Sequence, residues 1–176
     1  IGRAMRALEG RPRRIGILGL GCGTLLTYSR PGDVVRIYEI NPLVLDLARR
    51  EFTYLADAPA RVETALGDGR LLLERETPQK FDILVMDAFS GDSVPVHLLT
   101  HEAFRAYLRH LKPGGILAVN ISNRYLDLRP VMACAARDAG RLALVFDYDV
   151  EDDDILCFSN TWVLIVEKSA PAALPL

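Results

Sequence analysis

Short apolar runs alternate with stretches of helical periodicity along almost the whole chain. The runs predict strands at Arg14–Leu20, Val34–Ile40, Arg61–Leu66, Phe81–Asp87, Gly115–Ile121, Leu142–Phe146 and Trp162–Val166. Several are nearly continuous, such as Ile83-Leu84-Val85-Met86, as expected of strands covered on both faces. Between them, Pro42–Tyr54 predicts a helix, with Asn41 as its cap and Pro42 at the first helical position. A second helix, Thr100–Leu111, is closed by Lys112-Pro113-Gly114-Gly115, and a third, Leu128–Ala139, ends at Gly140; Pro and Gly stop helices.

Strand and helix in this alternation predict right-handed crossovers, and with them an α/β domain built on a doubly wound, mostly parallel seven-stranded sheet. Only the acidic loop Asp147–Asn160 separates the last two strands. They are expected to form an antiparallel pair, which puts an antiparallel strand at the sheet edge.

The chain has 176 residues, 50% of them hydrophobic and 25% charged, which suits one globular domain with a substantial core. We expect that domain to span residues 1–168, followed by a loose Ala- and Pro-rich tail over 169–176. A net charge of −2 gives no electrostatic case for nucleic acid or an anionic membrane as partner. Cys22, Cys134 and Cys157 are far apart. They form no CxxC pair, metal spacing or disulfide framework, and a reducing cytoplasm is the expected location. No apolar run reaches the roughly 18 residues of a membrane span, and no signal peptide is seen. The chain opens at Ile1 in a basic, helix-like stretch rather than at Met, and reads as a fragment of a longer protein.

In an open α/β sheet, ligands bind beyond the carboxyl ends of the strands, where strand order reverses. The first strand ends in Gly19-Leu20-Gly21-Cys22-Gly23-Thr24, a loop that lets a ligand approach the backbone. The second ends in Tyr38-Glu39-Ile40, with Glu39 placed 20 residues after Gly19 (39 − 19), the spacing of an acid that accepts ribose hydroxyls. The third ends in Gly67-Asp68-Gly69, either an Asp-Gly turn or a carboxylate for an adenine amino group. The fourth ends in Asp87-Ala88-Phe89-Ser90-Gly91-Asp92. Asp87 closes an apolar run, where an acid is costly unless paired or used. Asn120-Ile121-Ser122-Asn123 ends the fifth and offers neutral polar groups to the same cleft.

Other polar residues have plainer readings. His97, His101 and His110 show no partnered acid or metal spacing and are expected on the surface or at caps. Cys134, Cys157 and Trp162 are expected in the core. Glu151-Asp152-Asp153-Asp154 reads as a solvated turn.

Together, Ile17–Thr24, Tyr38–Pro42, Gly67-Asp68-Gly69-Arg70, Asp82–Asp87 and Leu111–Val119 resemble the spermidine synthase (polyamine aminopropyltransferase) family. The nearer match is its spermidine synthase-like branch, often fused to membrane segments. The resemblance covers about Ile15 to Val145 and overlaps with class I S-adenosylmethionine-dependent methyltransferases, which share the Rossmann-like fold. It implies that Gly19, Gly21, Cys22 and Gly23 surround the sulfonium tail of S-adenosylmethionine or its decarboxylated form. Glu39 would hold the ribose, and Asp68 with Gly69 the adenine. Asp87 would be the catalytic acid group that orients an amine acceptor such as putrescine and receives its proton. No metal, nucleic acid or membrane contact by this chain is implied, and a homodimer is compatible.

The chain departs from the family in three places. Cys22 stands where the family carries an aspartate that meets the amino group of the decarboxylated donor. The loop after Asp87 is longer than usual, with Asp92 at the place of the second, substrate-binding acid. The family's N-terminal β-region is absent from the 176 residues. The leading expectation is an aminopropyltransferase core. Its alternatives are a methyltransferase, favoured by Cys22, and a non-catalytic nucleoside-binding domain. A NAD-dependent dehydrogenase is disfavoured, because only a very short helical stretch follows Thr24 before Pro31-Gly32.

Overall fold

The computed structural model describes residues 1–8, 11–91, 93–123, 125–149 and 159–169. Seven strands form one sheet: β1 (Arg14–Leu18), β2 (Val34–Glu39), β3 (Arg61–Leu66), β4 (Phe81–Met86), β5 (Leu111–Asn120), β6 (Leu142–Tyr148) and β7 (Asn160–Val166). Their order is β3-β2-β1-β4-β5-β7-β6. The pairs from β3 through β5 are parallel, whereas β7 runs antiparallel to both β5 and β6. The expected antiparallel pair therefore lies at the sheet edge, and β7 is its reversed member, seated between β5 and β6.

The helices are α1 (Gly2–Ala7), α2 (Pro42–Arg50), α3 (Gly69–Arg75), α4 (His101–Arg109) and α5 (Arg129–Asp138). All six residues of β4 are buried, and their alternation divides the core in two. Leu84 and Met86 face a layer with Leu73 of α3, Phe104 and Tyr107 of α4, and Met132 of α5. Ile83 and Val85 face the other layer, with Met5 of α1, Leu45 and Ala48 of α2, and Leu25 and Leu26 of a 3₁₀ turn over Thr24–Tyr28. Continuous apolar runs arise because β1, β4 and β5 are covered on both sides.

Beyond shifts of a residue or two at element ends, three elements differ from the sequence expectation. Helix α2 stops at Arg50 instead of Tyr54, because Phe52, Thr53 and Tyr54 are poor helix formers and Thr53 carbonyl oxygen closes a turn with Ala56 and Asp57. Helix α3 fills what reads as loop; Asp68 caps it by accepting the Leu71 N–H at 3.0 Å. Strand β5 begins at Leu111, before the Pro-Gly-Gly stop, by bulging. Leu111 pairs with Phe81 and Ile116 with Ile83, so the intervening segment is accommodated opposite Asp82, whose carboxylate receives Lys112 Nζ at 2.8 Å. The region 169–176 expected as a loose tail lies outside the described residues apart from Ser169, as do Cys157 and the acidic turn 151–154. No helix among the described residues is long and apolar enough to cross a membrane.

Candidate active site

Strand order reverses between β1 and β4, the point at which an open sheet parts to form a crevice. Backbone bonds draw the strand ends together there. Gly19 N–H donates to Tyr38 carbonyl oxygen at 2.8 Å, Asp87 N–H to Leu18 at 3.0 Å, and Gly67 N–H to Glu39 at 2.8 Å. Gly19 has φ +92°, and a Cβ at that position would fall on the Asp87 carbonyl oxygen. The first turn of the glycine loop thus fits against β4 only without a side chain.

Glu39 is 7% exposed and held by two backbone donors: Oε2 accepts Leu20 N–H at 2.9 Å and Oε1 accepts Asn41 N–H at 2.8 Å. Each carboxylate oxygen can accept more than one hydrogen bond, so the two backbone donors fix the group while leaving acceptor capacity toward the cavity. Asp68 is held likewise, by Leu71 N–H on Oδ1 and by Nε2 of His97 at 2.9 Å from Oδ2.

Burial pushes the Asp87 carboxyl above the usual carboxylate range, partly offset by a 2.9 Å bond that Asn120 Nδ2 donates to Oδ1. Asn120 is itself oriented: its Oδ1 accepts both the N–H (3.0 Å) and the hydroxyl (2.6 Å) of Ser122. A carboxyl with a raised affinity for protons suits a group that must take one up near neutral pH.

These groups share a cavity of about 600 Å³, lined by Gly19, Gly21, Glu39, Asp68, Gly69 and Asp87 among the expected site residues. That size lies within the range of about 300–1,000 Å³ usual for small-molecule sites. Apolar walls come from Leu18, Ile40, Val44, Ala88, Phe89, Pro95 and Leu98. Cys22 and Gly23 belong to the loop but are not among the lining residues. Cys22 is exposed, with its Sγ 3.2 Å from Thr24 Oγ1. Asp92 lies outside the described residues. Among the described residues no group of three or more His, Cys, Asp or Glu is placed to hold a metal.

The sequence expectation puts the histidines at the surface or at caps without a partnered acid; His97 departs from that by its acid partner, whereas His110 is the C-terminal cap of α4. His97 both pairs with Asp68 and lines the cavity. His110 is fully buried, with Nδ1 accepting Gln79 N–H at 3.1 Å and Nε2 2.8 Å from Leu73 carbonyl oxygen. His101 is at the surface as expected, 3.7 Å from Asp138 Oδ2. Cys134 is exposed rather than in the core, because the buried stripe of α5 runs through Met132, Ala135 and Ala136. Trp162 is buried as expected. Phe89, Ser90, Pro95 and His97 were not legible as site residues, although all follow Asp87 in the loop expected to carry acceptor contacts.

No family model matches the chain. Among curated proteins, it is 36% identical over 115 residues to the polyamine aminopropyltransferase of Vibrio vulnificus, a match covering 62% of this chain and 38% of that protein. It is 28% identical over 122 residues to putrescine N-methyltransferase 2 of Nicotiana attenuata, covering 66% of this chain and 33% of the relative. The chain thus spans well under half the length of these relatives, all of which are transferases by name. Among solved structures, a probable spermidine synthase from Corynebacterium glutamicum superposes with TM-score 0.70 at 25% identity, over 95% of this chain and 62% of that one. Human methyltransferase-like protein 13 in complex with SAH gives TM-score 0.73 at 18% identity, over 96% of this chain and 81% of that one. A spermidine synthase in complex with the transition state analogue AdoDATO gives 0.68 at 17%, over 94% and 58%. The fold is that of spermidine synthases and class I methyltransferases, and the resemblance to the aminopropyltransferase family is carried by both sequence and structure.

Proposed function

We propose that this chain is the donor-binding core of a spermidine synthase-like transferase, moving an aminopropyl group from decarboxylated S-adenosylmethionine to a small amine such as putrescine. The observation that carries the reading is Asp87. It is a carboxylate with raised proton affinity at the switch point, in one cavity with Glu39 and Asp68. In this reading Gly19, Gly21, Cys22 and Gly23 surround the sulfonium tail and Glu39 accepts the ribose hydroxyls. Asp68 and Gly69 border the adenine, and Asp92 supplies a second acid toward the acceptor.

An alkylammonium titrates near about 10.4, so the acceptor arrives as a cation and must lose a proton to attack. Asp87 attracts and orients it. The amine lone pair forms a bond to the methylene carbon beside sulfur, and the carbon–sulfur bond breaks with its electron pair returning to sulfur, which leaves a neutral thioether. The proton passes to the Asp87 carboxylate. The acceptor is a small molecule, not nucleic acid, the step needs no metal, and a cytoplasmic homodimer completes the proposal.

Calorimetry with decarboxylated S-adenosylmethionine, S-adenosylmethionine and methylthioadenosine tests the reading; binding of none of the three overturns it. A second reading, methyl transfer to putrescine, is favoured by Cys22 at the place of the family's aspartate and by the N-methyltransferase relative. Transfer of a labelled methyl group to putrescine without aminopropyl transfer would decide for it.

A further inference from the structure

Asp68 and His97 come together from segments 29 residues apart. Asp68 sits at the end of β3, and His97 in a 3₁₀ turn over Val96–Leu99. That turn is pinned on two sides: Arg70 Nη1 donates to the His97 carbonyl oxygen at 2.8 Å, and Tyr107 Oη to that of Leu98 at 3.1 Å. Asp68 keeps little freedom of its own, because Oδ1 is committed to the first turn of α3. The His97 ring is 48% exposed and Asp68 19%, and both line the cavity together with Gly69 and Pro95.

An ionised carboxylate only accepts hydrogen bonds. Nε2, which faces Asp68 Oδ2 at 2.9 Å, is therefore the donor of the pair. On this wall the Asp68 carboxylate offers acceptor capacity, and the His97 donor is taken up within the pair. A 6-aminopurine brings N–H donors to such a wall. A 6-oxopurine brings an acceptor and would leave it opposed to another acceptor.

We propose that His97 is a specificity-determining residue for the donor nucleobase: it positions the Asp68 carboxylate, and the pair selects a 6-aminopurine nucleoside over its 6-oxo counterpart. The proposal rests on the reading of this cavity as a nucleoside site and adds a residue to it. A site built around hydrogen bonds to a substrate group discriminates strongly against an analogue that leaves them unpaired.

The test is calorimetry of the chain with methylthioadenosine and with methylthioinosine, for the unaltered protein and for His97→Phe, His97→Ala and His97→Gln. Gln keeps an N–H donor at about the Nε2 position; Phe and Ala do not. The unaltered chain should prefer the amino ligand about tenfold or more, and both donorless variants should lose about tenfold in its affinity and most of the preference. His97→Gln should restore both, and melting midpoints should stay close to that of the unaltered chain, since the ring is half-exposed. Unchanged affinity and preference in His97→Phe and His97→Ala, or equal binding of the two ligands by the unaltered chain, would overturn the proposal while leaving the nucleoside site intact. Failure of the unaltered chain to bind either nucleoside would instead overturn the nucleoside reading, and this proposal with it.

Discussion

Asn120 Nδ2 donates a 2.9 Å hydrogen bond to Asp87 Oδ1, joining the ends of the neighbouring strands β5 and β4 beside the cavity. The amide cannot turn over, because Ser122 donates twice to its oxygen, and Ser122 Oγ accepts Thr161 N–H from β7 at 3.0 Å. A chain of polar contacts thus runs from the reversed strand to the group proposed to take up the acceptor's proton. Burial raises the proton affinity of Asp87 and Asn120 lowers it again. Asn120→Ala should therefore move the rising limb of the kcat–pH profile to higher pH, since the base works only when ionised. Loss of a hydrogen bond to a charged group, about 1.5–3 kcal/mol, should lower kcat below that limb about tenfold. Asp87→Asn should lose about 10²–10⁴ in kcat while keeping nucleoside affinity. A profile that does not move in Asn120→Ala would refute the positioning role.

Gly19 and Gly21 both have positive φ, +92° and +53°, yet their surroundings differ. A Cβ on Gly19 meets the backbone of Asp87 and Ala88, whereas nothing lies within 4 Å of one on Gly21. Gly21→Ala should cost only the left-handed backbone penalty, about 1–2 kcal/mol. Gly19→Ala should cost clearly more, because β1 and β4 must part, and should abolish nucleoside binding. Urea unfolding of the two variants compares them directly; equal losses would mean that the close approach at Gly19 does not constrain the loop.

Cys22 is exposed at the tip of the glycine loop, so the side chain can be changed with little structural cost. Cys22→Asp should strengthen binding of decarboxylated S-adenosylmethionine relative to S-adenosylmethionine by about two- to fivefold, as an exposed carboxylate near an ammonium gains up to about 1 kcal/mol and opposes the second ligand's own carboxylate. Competition calorimetry with both ligands reads the ratio, and an unchanged ratio would place the sulfonium tail away from residue 22.

His110 is buried neutral between Gln79 N–H and Leu73 carbonyl oxygen, and burial holds its proton affinity below the usual histidine value. In the unfolded chain it titrates near about 6.5. Above that pH neither state carries the proton and stability is complete. As pH falls through it, the unfolded state binds the proton first, and stability drops until the folded ring also titrates. Unfolding free energies from urea titrations between pH 7.5 and 5.5 should decline by up to about 1.4 kcal/mol per pH unit from this one group, and His110→Gln should flatten the decline. Parallel curves for the two proteins would assign the pH dependence elsewhere.

Much of this molecule is legible from local pattern. The apolar runs of β1, β4 and β5 need no partner to be recognised, because burial on both faces removes polar alternation from the strand itself. Crossovers of one hand then send Gly19, Glu39, Asp68 and Asp87 to a common edge, so these residues could be named before any contact was known. Other features depend on phase and distance. Cys134 falls outside the buried stripe of α5 by the angular position of one residue. Asp68 in isolation reads equally as an Asp-Gly turn or as a ligand, and the packed chain also makes it the cap of α3, whose seven residues are too few to announce a helix by periodicity. The pairing of Asp68 with His97 and the orientation of Asp87 by Asn120 have no signature along the chain. Both arise only where crossovers of particular length bring distant segments into hydrogen-bonding distance, and that length scale belongs to the packed sheet rather than to any stretch of sequence.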